Sequence, residues 1–135
     1  MTISRFSLLC MVASVAQAIV AQTGAARADP VTTPSGQSVT LYDVVLEPGL
    51  SRFRYLAPAI DPAGQGLTYA DVAADFVWLC ESFAIPGLVA AGKSTDHVII
   101  ALSDRAVEFG VATPEATQFI ESYTVQGTAC IWDEF

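Results

Sequence analysis

The stretch from Thr68 to Ile85 constrains the fold more than any other part of this chain. Tyr69, Val72, Ala73, Phe76, Leu79, Cys80 and Phe83 recur at spacings of three and four, so one helix gathers them on a single face. Thr68 followed three residues later by Asp71 has the form of a capping box, with aspartate where glutamate is usual. Pro86-Gly87 is the expected stop, with Leu88 to Gly92 as one further turn. A helix this apolar on one side is stable only when that side is covered, so the remaining elements are expected to pack on it. Asp71, Asp75, Trp78 and Ser82 fall on the opposite, solvated face. Trp78 breaks the polar pattern there. Either it anchors a partner, with Asp71, Asp75 and Ser82 around the contact, or the lead-in or the loop before the helix folds over it.

The first residues read as a secretory leader. Arg5 precedes a mostly apolar run from Phe6 to Val20, and Ala26-Arg27-Ala28 fits the small-x-small cleavage pattern. Residues 1–28 are therefore expected to be a signal peptide, with the exported chain beginning at Asp29. Gln17, Gln22 and Thr23 interrupt the apolar run, which falls short of the ~20 residues of a span, so no stable membrane insertion is expected after cleavage. The 107 residues from Asp29 onward, of 135 in all, are enough for one domain. They hold four bases (Arg52, Arg54, Lys93 and Arg105) and all 14 acids, a net charge of −10. Nucleic acid is excluded as a natural partner, because binding it relies on neutralising phosphates with Lys and Arg. Anionic membrane surfaces are excluded for the same reason. Cys10 leaves with the leader. Export to an oxidising compartment then makes a disulfide between Cys80 and Cys130 the expectation.

From Asp29 to Ser38, two prolines, a glycine and small polar residues suggest a mobile lead-in. Residues 39–135 form the expected domain. Val39 to Glu47 and Ser51 to Ala57 read as a hairpin around Pro48-Gly49, setting Val44 opposite Phe53, Asp43 opposite Arg54 and Tyr42 opposite Tyr55. The Asp43–Arg54 pair reads as solvated. Pro58 to Gly66 is a loop, and Gly64-Gln65-Gly66 lacks the third glycine and the basic residue of a phosphate cradle. His97 to Leu102 is a continuous apolar run of strand length, which belongs at the centre of a sheet. Thr113-Pro114-Glu115 supplies an N-cap, a proline at the first helical position and an early acid, so a second helix is expected, with Ala116, Phe119, Ile120 and Tyr123 facing inward. Thr124 to Trp132 reads as a hairpin about Gln126-Gly127, with Cys130 and Trp132 on one side and Ile131 on the other. The element order is then β-β-α-β-α-β-β. The expected class is α+β, a two-layer sandwich with an antiparallel sheet and two helices on one face.

His97 is the only histidine, which excludes two-histidine zinc sites and the iron facial triad. Asp96, His97, Ser103 and Asp104 supply the residue types of a hydrolytic triad, but no G-x-S-x-G elbow accompanies them. No calcium loop of the D-x-[DN]-x-[DN]-G type occurs. No catalytic residue, metal ligand or cofactor is therefore assigned.

Several runs carry a resemblance: Pro34-Ser35-Gly36-Gln37, Arg52 through Ile60, Leu102-Ser103-Asp104-Arg105, Glu108 through Ala112, Pro114 through Gln118, and Cys130-Ile131-Trp132. Together they resemble a family of small exported bacterial proteins classed as a domain of unknown function. The resemblance implies a signal peptide and a disulfide, but no activity. The expected function is a periplasmic or secreted, disulfide-stabilised binding or assembly module whose partner is another periplasmic protein. The alternative is a small periplasmic hydrolase using acidic residues near His97.

Overall fold

A computed structural model describes residues 28–134 of the chain. Residues 1–27 of the expected leader, Cys10 among them, lie outside the described residues. Three strands come first: β1 (Val31–Thr32), β2 (Ser38–Glu47) and β3 (Leu50–Leu56). One long helix comes next, α1 (Tyr69–Ala90). Then come β4 (His97–Ser103), β5 (Gln118–Gln126) and β6 (Ala129–Trp132). The strands form one six-stranded sheet in sequence order, curled into half a barrel with α1 against its inner face. All neighbours pair antiparallel except β3 and β4, which are parallel. Parallel neighbours cannot be joined by a tight turn, and the helix is the crossover that joins these two.

This corrects the expected fold. Across the described residues the protein is mostly β, with a mixed sheet and a single long helix, not an antiparallel sheet carrying two helices. The second helix fails at Thr113-Pro114-Glu115, which forms an isolated turn closed by Ala116 N–H donating to the Thr113 carbonyl at 3.0 Å. A threonine cap with proline after it suits a type I turn as well as a helix start, since both need the same first dihedrals. Residues 118–125 beyond that turn are rich in aromatic and β-branched side chains. They extend as β5 along the whole of β4, with Phe119 opposite Leu102 and Tyr123 opposite Val98.

Helix α1 begins as its sequence indicates. The Thr68 hydroxyl accepts from Asp71 N–H, and the Asp71 carboxylate accepts from Thr68 N–H at 2.8 Å, completing the capping box. It does not stop at Pro86. A π-turn spans Cys80–Ala84, where Ile85 N–H reaches back to the Cys80 carbonyl, and regular helix resumes over Ile85–Ala90. Pro86 thus occupies the first turn of the resumed segment, where its missing N–H costs no helical bond. Val72, Phe76, Leu79, Cys80, Ala84, Ile85 and Leu88 are buried from the helix, against Phe53, Tyr55, Val98, Ile100, Leu102 and Tyr123 from the sheet. Each large side chain so buried stabilises the fold by about 2 kcal/mol.

The β2–β3 hairpin turns at Pro48-Gly49, where Gly49 adopts φ 72°, a conformation that suits glycine after proline. Asp43 faces Arg54 and Val44 faces Phe53, as expected. Tyr42 does not face Tyr55, because a bulge between Leu41 and Asp43 gives Leu41 that partner. The extra residue places the Tyr42 ring 5.1 Å from the Arg54 guanidinium. Strand β4 is central, as its apolar run indicates. The last hairpin also holds, with Cys130 opposite Val125 and Trp132 opposite Tyr123.

Cys80 and Cys130 are bonded, with their Cα atoms 6.3 Å apart. The bridge staples the π-turn of α1 to the last strand. Closing a loop with a separation of 50 residues stabilises by about 4 kcal/mol in the chain-entropy picture.

Candidate functional site

The outward face of α1 is not a uniform polar surface. Asp75, expected to be solvated beside Asp71, is 0% exposed. Its carboxylate accepts from the Thr33 hydroxyl (2.8 Å), the Ser35 hydroxyl (2.6 Å), Ser35 N–H (2.8 Å) and the Gln37 amide (2.8 Å). The segment expected to be a mobile lead-in is therefore a strap, running as β1 and then as a turn that closes over the helix. Gly36 makes that turn possible with φ 88°. Asp71 remains exposed in the capping box, and Ser82 is exposed one turn beyond Trp78. Trp78 is half-buried against the core, with the Phe83 ring edge-on at 5.2 Å. Asp75 cannot meet a partner from this position, because the strap occupies its side of the helix.

The residues near His97 do not converge on a nucleophile. Asp104 lies at the far end of β4, about 20 Å away along the strand. Its carboxylate accepts from Arg105, which holds it below the usual carboxylate range. His97 instead sits 3.9 Å from Asp133. Asp133 accepts from the Thr124 hydroxyl at 2.7 Å and the Ser122 hydroxyl at 2.8 Å. The Thr124 hydroxyl bond is the main reason its carboxyl is lowered, then Ser122 and then His97. The Thr124 hydroxyl also lies 3.4 Å from His97 Nδ1, but its one proton, like that of Ser122, goes to the acid, so neither hydroxyl donates to the imidazole.

The outer face of the sheet carries a second cluster. Arg54 is only 8% exposed and is gripped from three sides. It donates to the Asp43 carboxylate and to the Val107 carbonyl (2.8 Å), and its guanidinium lies 5.5 Å from the Phe109 ring. The Asp43–Arg54 pair expected to be solvated is therefore largely covered on the arginine side. The cover is the loop between β4 and β5, whose Phe109 also meets Arg52 at 5.6 Å. Arg52 is paired with Glu47 at 2.7 Å. With both arginines already matched by acids, this cluster secures the loop.

An open groove lies between α1 and the C-terminal hairpin. Tyr69, Ala73 and Val77 form one stripe of the helix at spacings of four, and Tyr123, Cys130 and Trp132 face it from β5 and β6. They enclose a groove of about 410 Å³. Ala73 keeps it wide, and the Cys80–Cys130 bridge fixes the hairpin to the helix at one end. Glu121 ties the two walls together. One carboxylate oxygen accepts from the Tyr69 hydroxyl and the other from the Trp132 indole N–H, both at 2.5 Å. The bond to Glu121 raises the Tyr69 hydroxyl above its ordinary value. Tyr69 is further held edge-to-face by Phe119 at 5.9 Å, yet it stays 43% exposed and Trp132 53%.

Helical spacing assigns Tyr69 to the inner face of α1 and gives no reason to join it to Glu121 or Trp132. The signal for that contact is the alternation Phe119, Glu121, Tyr123, Val125, which puts an acid among apolar residues on the inner face of a strand. Reading the segment as a helix hides that alternation.

The fold and the groove define a small, mostly β protein with one helix laid across a curled sheet and a disulfide locking the two together. The chain belongs to a family of unknown function, DUF6497, whose model matches residues 11–135. No curated protein matches the chain, and no solved structure does.

Proposed function

We propose that the chain is an exported, periplasmic or secreted binding module, without chemistry of its own, that engages a partner protein through the Tyr69–Trp132 groove. The carrying observation is that two large, exposed aromatic side chains are held in place by one carboxylate, Glu121. Exposed Tyr and Trp that are already ordered lose little freedom on binding, which suits them as anchors. The bridge supports the compartment, because disulfides persist where the surroundings are oxidising. The leader read from residues 1–28 supplies the route.

A photo-crosslinking residue at Ala70, exposed on α1 beside the groove and outside its lining, tests this in intact cells. The expected result is a discrete adduct in the exported fraction, on a chain lacking residues 1–28, that disappears in Trp132→Ala. Equal crosslinking from exposed Ala63, or a chain that keeps its leader, would overturn the reading.

A further inference from the structure

Resting on that reading of the groove, we infer that it receives an arginine or lysine side chain of a partner protein, with Glu121 as counter-charge and the Tyr69 and Trp132 rings as walls.

The charge distribution points that way. Among the described residues, no base lines the groove. Arg52 and Arg54 sit on the opposite face of the sheet, and Arg105 is bound to Asp104. The charges beside it are negative, since Glu121 bonds both walls and Glu81 lies one helical turn beyond Val77. Across the described residues, 14 acids face four bases. An anionic segment would be repelled from such a surface. A neutral apolar one would strip water from Glu121 and give it nothing in return.

A cation gains twice. Each Glu121 oxygen already accepts one intramolecular donor, and a carboxylate oxygen has lone pairs for a second. A guanidinium or ammonium there makes a charge-assisted hydrogen bond while its stem lies along aromatic rings. The Tyr69 hydroxyl and the Trp132 N–H are fixed on the carboxylate, and the exposed parts of both rings remain to be covered. Arginine fits better than lysine, because its planar head stacks. The occupant is a protein segment and not a small cation, because both walls are about half open. A small-molecule site would enclose most of its ligand.

The test uses the disulfide-intact exported protein and an acetylated, amidated peptide with one central arginine among serines and leucines. The Trp132 indole resonance is tracked by NMR. Saturable shifts are expected, weakened about tenfold or more when citrulline replaces the arginine and to a similar degree in Glu121→Gln. Ala73→Leu, which fills the groove and leaves every charge in place, is expected to weaken binding likewise. Glu108→Gln removes the same charge on the outer face and is expected to change affinity less than about twofold, once screening by salt is matched. Equal binding of the citrulline peptide, or equal losses in the Glu108 and Glu121 variants, would overturn the inference, as would tighter binding of choline than of the peptide. Ala70 adducts in cells without any response to the arginine peptide would sink the cationic chemistry and leave the groove standing. Loss of both would remove the groove as well.

Discussion

Replacing Asp75 with alanine offers the sharpest test of how the strap is held. The carboxylate is fully buried and accepts four hydrogen bonds from three residues. Ser35 is exposed and can turn to water, but Thr33 and Gln37 are each only 4% exposed. Removing the acceptor therefore orphans two buried donors at roughly 1–3 kcal/mol each, and a small cavity adds to that. Thr33 recovers part of the loss through the Gln37 carbonyl, 3.3 Å away. The net cost is about 3–4 kcal/mol, a large share of the roughly 5–15 kcal/mol that holds a domain together. For a chain of this size that lowers the melting temperature by about 12–16 °C. Asp75→Asn is expected to cost nearly as much, since its single acceptor oxygen cannot serve three residues and its NH2 points at donors. Urea and thermal denaturation with the disulfide intact give the magnitude. Amide exchange at Ser35, whose N–H meets Asp75 at 2.8 Å, shows whether the strap is what loosens. A loss below about 1 kcal/mol, no larger than that of exposed Asp71→Asn, would refute the reasoning.

Three further outcomes are expected. Arg54→Lys retains the charge but loses the planar contacts with Tyr42 and Phe109 and the bond to Val107. It is expected to destabilise by about 2 kcal/mol and to speed proteolysis within residues 104–117 first. Cys80→Ser with Cys130→Ser is expected to lower stability in urea by up to about 4 kcal/mol and to broaden the Trp132 indole resonance as the hairpin comes free of the helix. Acid acts through Asp133, lowered chiefly by the Thr124 hydroxyl, through Asp104, lowered chiefly by Arg105, and through Asp71, lowered chiefly by Thr68 N–H. A depressed folded-state value stabilises fully above the unfolded carboxylate value of about 4 and is lost as pH falls through the folded value. The melting temperature is therefore expected to hold down to about pH 5 and fall below about pH 4. The fall should be shallower in Ser122→Ala with Thr124→Val.

Local features of this protein are legible wherever a few adjacent residues suffice to define them. Thr68 and Asp71 cap their helix by contacts three residues apart. Pro48-Gly49 sets its own turn, and the unbroken apolar run from Val98 to Leu102 marks the middle of a sheet. Gln118 to Tyr123 is ambiguous because Thr113-Pro114-Glu115 opens a turn and a helix with the same dihedrals. Only the neighbouring β4 decides between them, by offering Phe119 and Tyr123 a row of partners. The parallel pairing of β3 with β4 is equally hidden, since it joins segments on either side of a 22-residue helix.

The helix start, the two tight hairpins, the central strand and the pairing of Cys80 with Cys130 can all be read from the order of residues, because each rests on short-range chemistry or on a small set of choices. The burial of Asp75, the bulge that turns Tyr42 toward Arg54, and the place of Glu121 between Tyr69 and Trp132 cannot. The first and the last join helix residues to partners 38 to 52 positions away, which meet only after the sheet has curled around the helix. The bulge is a backbone irregularity within one hairpin that the alternation of residues 39–47 does not signal.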